Sequence, residues 1–315
     1  MAVAVYQSTD PGAIQLDGQV GSLVAVLDSV LVAAGWSIAF TTTNIRAYRQ
    51  PATADGALRA YLRVNDAGPG VGGGKEARIV GYETMSDVNT GTLPCPTVAN
   101  MANGLFVRKS ATADATTRTW LIVADARTVY MWVATGDSAG VYLLWMFGDF
   151  YSFKTSDLYR VMIMGRITEN SAVLTAAVDW GDFVADVPAA TNNFHHIFRN
   201  VIATSGAIQA NKTGSTSFGS QIGGGSPLKG DVAYKNPADQ YVYTPPILIT
   251  HTVGGVTRRG LWRGMYQFCH AISNVTDRET MPGREDLVGK TLMIVKQGGN
   301  GGVWTVETSN TWPTN

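Results

Sequence analysis

The chain has 315 residues, with 24 basic and 24 acidic side chains that cancel to a formal net charge of zero. Charged residues make up 15% of it, against roughly 25% in an ordinary soluble domain. Such a chain lacks the electrostatic footprint that nucleic acid or an anionic lipid surface requires, so neither partner is expected. With little charge to keep copies apart, its surface suits packing against neighbours.

Residues 17–34 carry the one clear helical period, with Val20, Leu23, Val24, Leu27, Val30, Leu31 and Ala34 on one face. Asp17 is the expected N-cap, and Gly35 the residue that ends the helix in a left-handed conformation. A helix this apolar belongs against a sheet, with Trp36 closing the edge of that core. The spacing then changes to a period of two. Strands are expected over 37–41, 45–49, 58–64, 77–84, 118–124, 128–134, 141–147 and 160–167. The stretch from Thr119 to Ala134 reads as a hairpin turning at Asp125–Arg127, and Val141–Phe147 adds a third strand. Both faces of this meander are apolar, which places it inside a sandwich or under the helix. Leu27 and Leu31 of the helix are expected in one buried cluster with Trp120, Trp132 and Trp145 of the meander. No alternation of strand and helix appears, which argues against an α/β enzyme fold.

Residues 203–240 are rich in Gly, Ser, Thr, Asn and Lys and include Gly223-Gly224-Gly225. They read as an exposed excursion that ends at Pro245-Pro246, because they lack the apolar area to order themselves. Further strands are expected near 247–252, 260–271, 291–296 and 303–307. The expected fold is mainly β, an antiparallel meander or sandwich-like body with one buried N-terminal helix. Residues 1–170 form that body, and residues 171–315 a second β-rich part that completes or adjoins it.

The first basic residue is Arg46, so no secretory signal is expected, and the apolar stretch from Val20 to Ile38 is too interrupted to span a membrane. Cys95 and Cys269 are too few for a disulfide framework and read as free thiols made in a reducing cytoplasm. The sequons at Asn211 and Asn274 carry no weight without a secretory route.

Gly68-Pro69-Gly70-Val71-Gly72-Gly73 has the form of a dinucleotide fingerprint, but a strand follows it where a helix N-terminus is required. It reads as a hairpin tip. His195 and His196 are adjacent and would face opposite sides of a strand, and no two of the four histidines have chelating spacing. His251 and His270, flanking Arg258, Arg259 and Arg263, read as edge or interface residues. Paired carboxylates beside aromatics occur at Asp179-Trp180-Gly181-Asp182 and at Phe147-Gly148-Asp149-Phe150-Tyr151. Two carboxyls in an aromatic cleft could cleave a sugar, yet Asp beside Gly more often caps a turn. No catalytic, cofactor-binding or metal-ligating residues are assigned, and no cofactor is expected.

Several phrases carry a resemblance: Ala47-Tyr-Arg-Gln-Pro, Tyr61-Leu-Arg-Val-Asn-Asp, Ala77-Arg-Ile-Val-Gly-Tyr-Glu-Thr-Met-Ser-Asp, Trp120-Leu-Ile-Val-Ala-Asp-Ala-Arg-Thr-Val-Tyr and Phe147-Gly-Asp-Phe-Tyr-Ser-Phe-Lys. Together with Arg108-Lys-Ser and a looser echo at Arg258-Arg-Gly-Leu-Trp-Arg-Gly-Met-Tyr, this resembles a family of virion structural proteins from the tail regions of Pseudomonas-type tailed bacteriophages. The resemblance covers mostly residues 35–170. It implies a non-enzymatic tail-end or baseplate subunit, assembled in the host cytoplasm into a virion. Its implied partners are other virion proteins and copies of itself in three- or six-fold symmetry. Two alternatives stay open: a carbohydrate-binding or carbohydrate-cleaving tail protein, and a head decoration or connector protein.

Overall fold

The computed structural model describes residues 2–69, 73–98, 103–136, 142–165, 195–199, 246–252, 256–267, 276–296, 303–309 and 311–313. The chain is mainly β, with three antiparallel sheets and one α-helix among these residues. In chain order the elements are β1 (Ala4–Gln7), α1 (Ser22–Ala33), β2 (Ser37–Thr42), β3 (Ile45–Arg49), β4 (Tyr61–Asn65), β5 (Glu76–Met85), β6 (Gly91–Cys95) and β7 (Leu105–Arg108). There follow β8 (Trp120–Ala124), β9 (Thr128–Val133), β10 (Leu143–Asp149), β11 (Tyr151–Ser152), β12 (Val161–Met164) and β13 (His195–Ile197). The last are β14 (Pro246–Thr252), β15 (Val256–Gln267), β16 (Thr280–Pro282), β17 (Thr291–Lys296) and β18 (Val303–Glu307).

The central sheet has the order β1-β8-β9-β10-β12-β13, and every residue of β8, β9, β10 and β12 is buried. Alternate side chains leave it in opposite directions, as the strand period requires. Trp120, Ile122, Met131, Trp145 and Phe147 face one core. That core also takes in α1 and the inner residues Tyr48, Leu62, Val64 and Ile79 of a second sheet, β2-β3-β4-β5-β6 with β7 beside β5. Leu121, Tyr130, Trp132, Leu144 and Met146 face the other way. They meet Trp262, Met265, Met293, Val295 and Trp304 of a third sheet, β11-β15-β18-β17-β16 with β14 also against β15. The meander therefore lies inside, covered on both faces.

The turn at 125–127 joins β8 to β9 where the sequence places it, with the Asp125 amide donating to the Thr128 carbonyl at 3.0 Å. The glycine-rich segment from 68 joins the antiparallel pair β4 and β5, and its residues 70–72 lie outside the described ones. The expected excursion over 203–240, Cys269 and His270 also lie outside them.

The helix is shorter than its period predicts. It starts at Ser22 because Gly21 adopts a left-handed φ of 85°, and Val20 stays 49% exposed. Asp17 is not its cap: its carboxylate accepts the Gln19 amide at 2.9 Å and closes a local turn. The Asp66 carboxylate takes that role, accepting the Leu23 amide at 2.8 Å. The end is as predicted. Gly35 takes a φ of 90°, its amide donates to Val32, and the Trp36 amide donates to Leu31, the paired bonds of a Schellman stop. Trp36 is buried against Phe147, with ring centroids 5.8 Å apart.

Strands β1, β6, β7, β11, β13 and β16 are not among those expected from the sequence. They are short, or, like β6 with Gly91 and Pro94, carry residues that weaken a strand pattern.

Leu27 is fully buried between two sheets. Leu27→Ala is expected to cost about 2–5 kcal/mol in chemical denaturation, the usual range for opening a cavity in a core. A loss under about 0.5 kcal/mol would mean that the helix is not held by that core.

Candidate functional site

The two ends of a strand buried on both faces are where its polar groups can gather. Here they gather at one end, where the β8–β9 turn, the end of β10 and the segment after β11 come together. Four carboxylates meet four guanidinium groups there. Arg127 grips Asp149 with both branches of its fork, Nε to Oδ2 at 3.0 Å and Nη2 to Oδ1 at 2.9 Å. The same Arg127 donates to the carbonyls of Pro51 and Leu58, each at 2.6 Å, and so ties the β3–β4 connection to the central sheet. Gln50, fully buried, donates to the Arg127 carbonyl at 2.6 Å and to Asp149 at 3.1 Å, and accepts the Ala60 amide.

Arg160 lies 3.6 Å from Asp149 and 2.5 Å from Asp55. Towards the third sheet, Arg259 pairs with Asp157 at 2.5 Å, both side chains buried, and donates to Ser152. Its guanidinium also lies over the Phe150 ring at 5.2 Å. Arg263 pairs with Asp125 at 2.8 Å and donates to Thr128 and to the Pro313 carbonyl. Asp125 in turn accepts the amides of Arg127 and Thr128, which sets the hairpin turn. All three sheets are joined through these contacts.

Gly148 lets the chain reach this position. Its φ of 140° is in the region side chains avoid, and a Cβ there would stand 2.2 Å from the Arg127 carbonyl oxygen. The aspartate after it is thus delivered to the Arg127 fork.

One sequence-based reading is corrected here. Asp149 does not cap a turn, because both of its oxygens are held by side chains. Arg259 and Arg263, in the segment that His251 and His270 flank, are 1% and 3% exposed, because each has a buried carboxylate partner. Both lie on β15 beside the buried Trp262 and Met265, and nothing in their local sequence marks them as interior.

Burial pushes the Asp149 carboxyl above its ordinary range, against the pull of Arg127, Arg263 and Arg160. Neither oxygen is left for proton transfer to a substrate. Chemically the cluster is a clamp. Asp179 and Asp182, the other carboxylates considered for sugar cleavage, lie outside the described residues.

The remaining candidates are interior groups. The Cys95 thiol is fully buried, and burial raises its pKa well above the usual value, which makes it a poor nucleophile. His196 is 4% exposed, and neither ring nitrogen has a hydrogen-bond partner among the described residues. No group of three or more His, Cys, Asp or Glu suited to a metal ion occurs among the described residues. No helix among them is long and apolar enough to cross a membrane.

No protein-family model matches the chain, and no curated protein shows significant similarity to it.

Two outcomes test this region. Asp149→Ala strands buried Arg127 without its counter-ion and is expected to cost about 3–5 kcal/mol, seen as a lowered urea midpoint. A cost under about 1 kcal/mol would mean that the clamp does not hold the layers. For His196, burial pushes the ring pKa down to about 4 from an ordinary 6.5. The unfolded chain therefore takes up the proton first, and stability present above pH 6.5 is lost as pH falls toward 4. His196→Leu is expected to show a smaller drop in Tm between neutral and mildly acidic pH than the parent, and an unchanged drop would refute the assignment.

Proposed function

We propose that the chain is a non-enzymatic structural subunit of a bacteriophage tail end or baseplate. It works through contacts with copies of itself and with other virion proteins. The observation that carries this reading is how the chain distributes its side chains. Part of its scarce charge is buried in the clamp between layers, while Val98, Val288, Phe153, Val20 and Val32 stand 48–73% exposed. A surface poor in free charge and dotted with large apolar groups gains from being covered by neighbours. The resemblance of residues 35–170 to phage tail proteins supplies the kind of neighbour, and a rigid three-layer body is a suitable building block for it.

The repeated parts of a tail close around an axis, so even modest pairwise contacts add up to a stable ring. The expected result of sedimentation and light scattering is a closed assembly of three or six copies. Antibody labelling of intact particles should decorate the tail end. A chain that stays monomeric at its highest soluble concentration, with label on the head or nowhere, would overturn the proposal. For the sugar-cleaving alternative, Asp179→Asn with Asp182→Asn decides. Particles are expected to remain infectious, and normally assembled particles that no longer degrade a host surface glycan would make the chain an enzyme.

A further inference from the structure

The start of α1 is closed by two residues far from it in sequence. Asp66 follows β4, and Lys109 follows β7. The Asp66 Oδ2 accepts the amides of Leu23 at 2.8 Å and Val24 at 3.4 Å, while Oδ1 is in direct hydrogen-bond contact with Lys109 Nζ. Nζ also donates to the Gln19 carbonyl at 2.6 Å and to Ser22 Oγ at 3.1 Å. Both charged side chains are 0% exposed. An amine and a carboxyl group are thus held against each other, out of water, with two main-chain N–H groups on the carboxyl oxygen opposite the amine.

We propose that Lys109 and Asp66 condense into an isopeptide bond that staples the end of β4 to the end of β7 beneath the helix. Proton transfer within the ion pair gives a neutral amine and a carboxylic acid. Burial favours both forms: it pushes the Asp66 carboxyl up to about 6 and the Lys109 amine down, each against the pull of the other. The nitrogen lone pair attacks the Asp66 carboxyl carbon, and the electron pair of its C=O bond moves onto Oδ2. The Leu23 and Val24 amides face that oxygen and hold its developing negative charge, as the donors of an oxyanion hole do.

The carbon–Oδ1 bond then breaks as the C=O re-forms. Oδ1 leaves as water, with its own proton and one passed from the nitrogen in direct contact with it. The sum is a carboxylic acid and an amine giving an amide and water, with nothing oxidised or reduced and no co-reactant. Fixed partners of this kind react with effective molarities of about 10⁵–10⁸ M. The product keeps the contacts that matter: its N–H can still reach the Gln19 carbonyl, and its oxygen still caps the helix. Two buried charges, costly to desolvate, become one neutral amide.

Intact mass under denaturing conditions tests this on the full chain, freshly purified and after days held folded at neutral pH. The expected mass is one water below that of the sequence. Trypsin should no longer cut after Lys109, and a branched peptide should join residues 64–75 to 109–118. Lys109→Arg keeps the charge but cannot condense in the same way, and should show the full mass. A folded parent chain that keeps its full mass after incubation, with cleavage after Lys109, overturns the proposal. That outcome needs no variant to fold, and it is independent of how the chain assembles.

Discussion

Because apolar side chains leave the central sheet on both faces, its strands must be covered twice, and the rest of the architecture supplies those covers. One is the helix with the β2–β7 sheet, and the other is the sheet built around β15 and β18. A sheet sealed in this way has no wet side on which to place its polar groups. Backbone bonds satisfy the ladders, but turns and strand ends still bring charged side chains into the interior. Each of these needs an opposite charge there.

The clamp around Asp149 answers that need. An arginine fork matches a carboxylate in two parallel bonds, and its leftover N–H groups can reach carbonyls that would otherwise be unpaired. Arg127 does both, holding Asp149 and the carbonyls of Pro51 and Leu58. Such pairs contribute little net stability over well-packed apolar groups, because desolvation offsets much of the attraction. What they add is geometry: each layer is fixed to the next at a defined point. Their arrangement also explains why carboxylates beside aromatics in this sequence do not amount to a catalytic pair at Asp149.

Much of the architecture is legible in the sequence, for identifiable reasons. The doubly apolar runs at 120–124, 128–133 and 143–147 mark interior strands, and Gly35 marks the helix end. Trp132 shows where pattern reading stops. Its apolar neighbourhood suggests one cluster with Leu27, Leu31, Trp120 and Trp145, yet it faces the opposite core, because its position in β9 has the other parity. A strand that is apolar on both sides gives no sign of which face meets the helix. The clamp is illegible for a related reason. Its partners lie 11 to 138 residues apart, and a lone Arg or Asp looks the same in sequence whether it meets water or a buried counter-ion. Short edge strands such as β1 and β16 give too few residues for any period to show.

The pairing order has a consequence for how the chain is made. The whole β2–β7 sheet comes from one contiguous stretch, residues 37–108, and each strand from β2 to β6 pairs with the next in the chain. It can close as that stretch emerges during synthesis. Strand β1 is different: Ala4 pairs with Ala124, so its place in the ladder does not exist until β8 has been made. Long loop closures of this kind are slow relative to local hairpins. A strand synthesised early thus stays unpaired while the helix and the whole second sheet follow it. Its short, uncharged Ala4–Gln7 edge is the part of the nascent chain most in need of protection from stray partners.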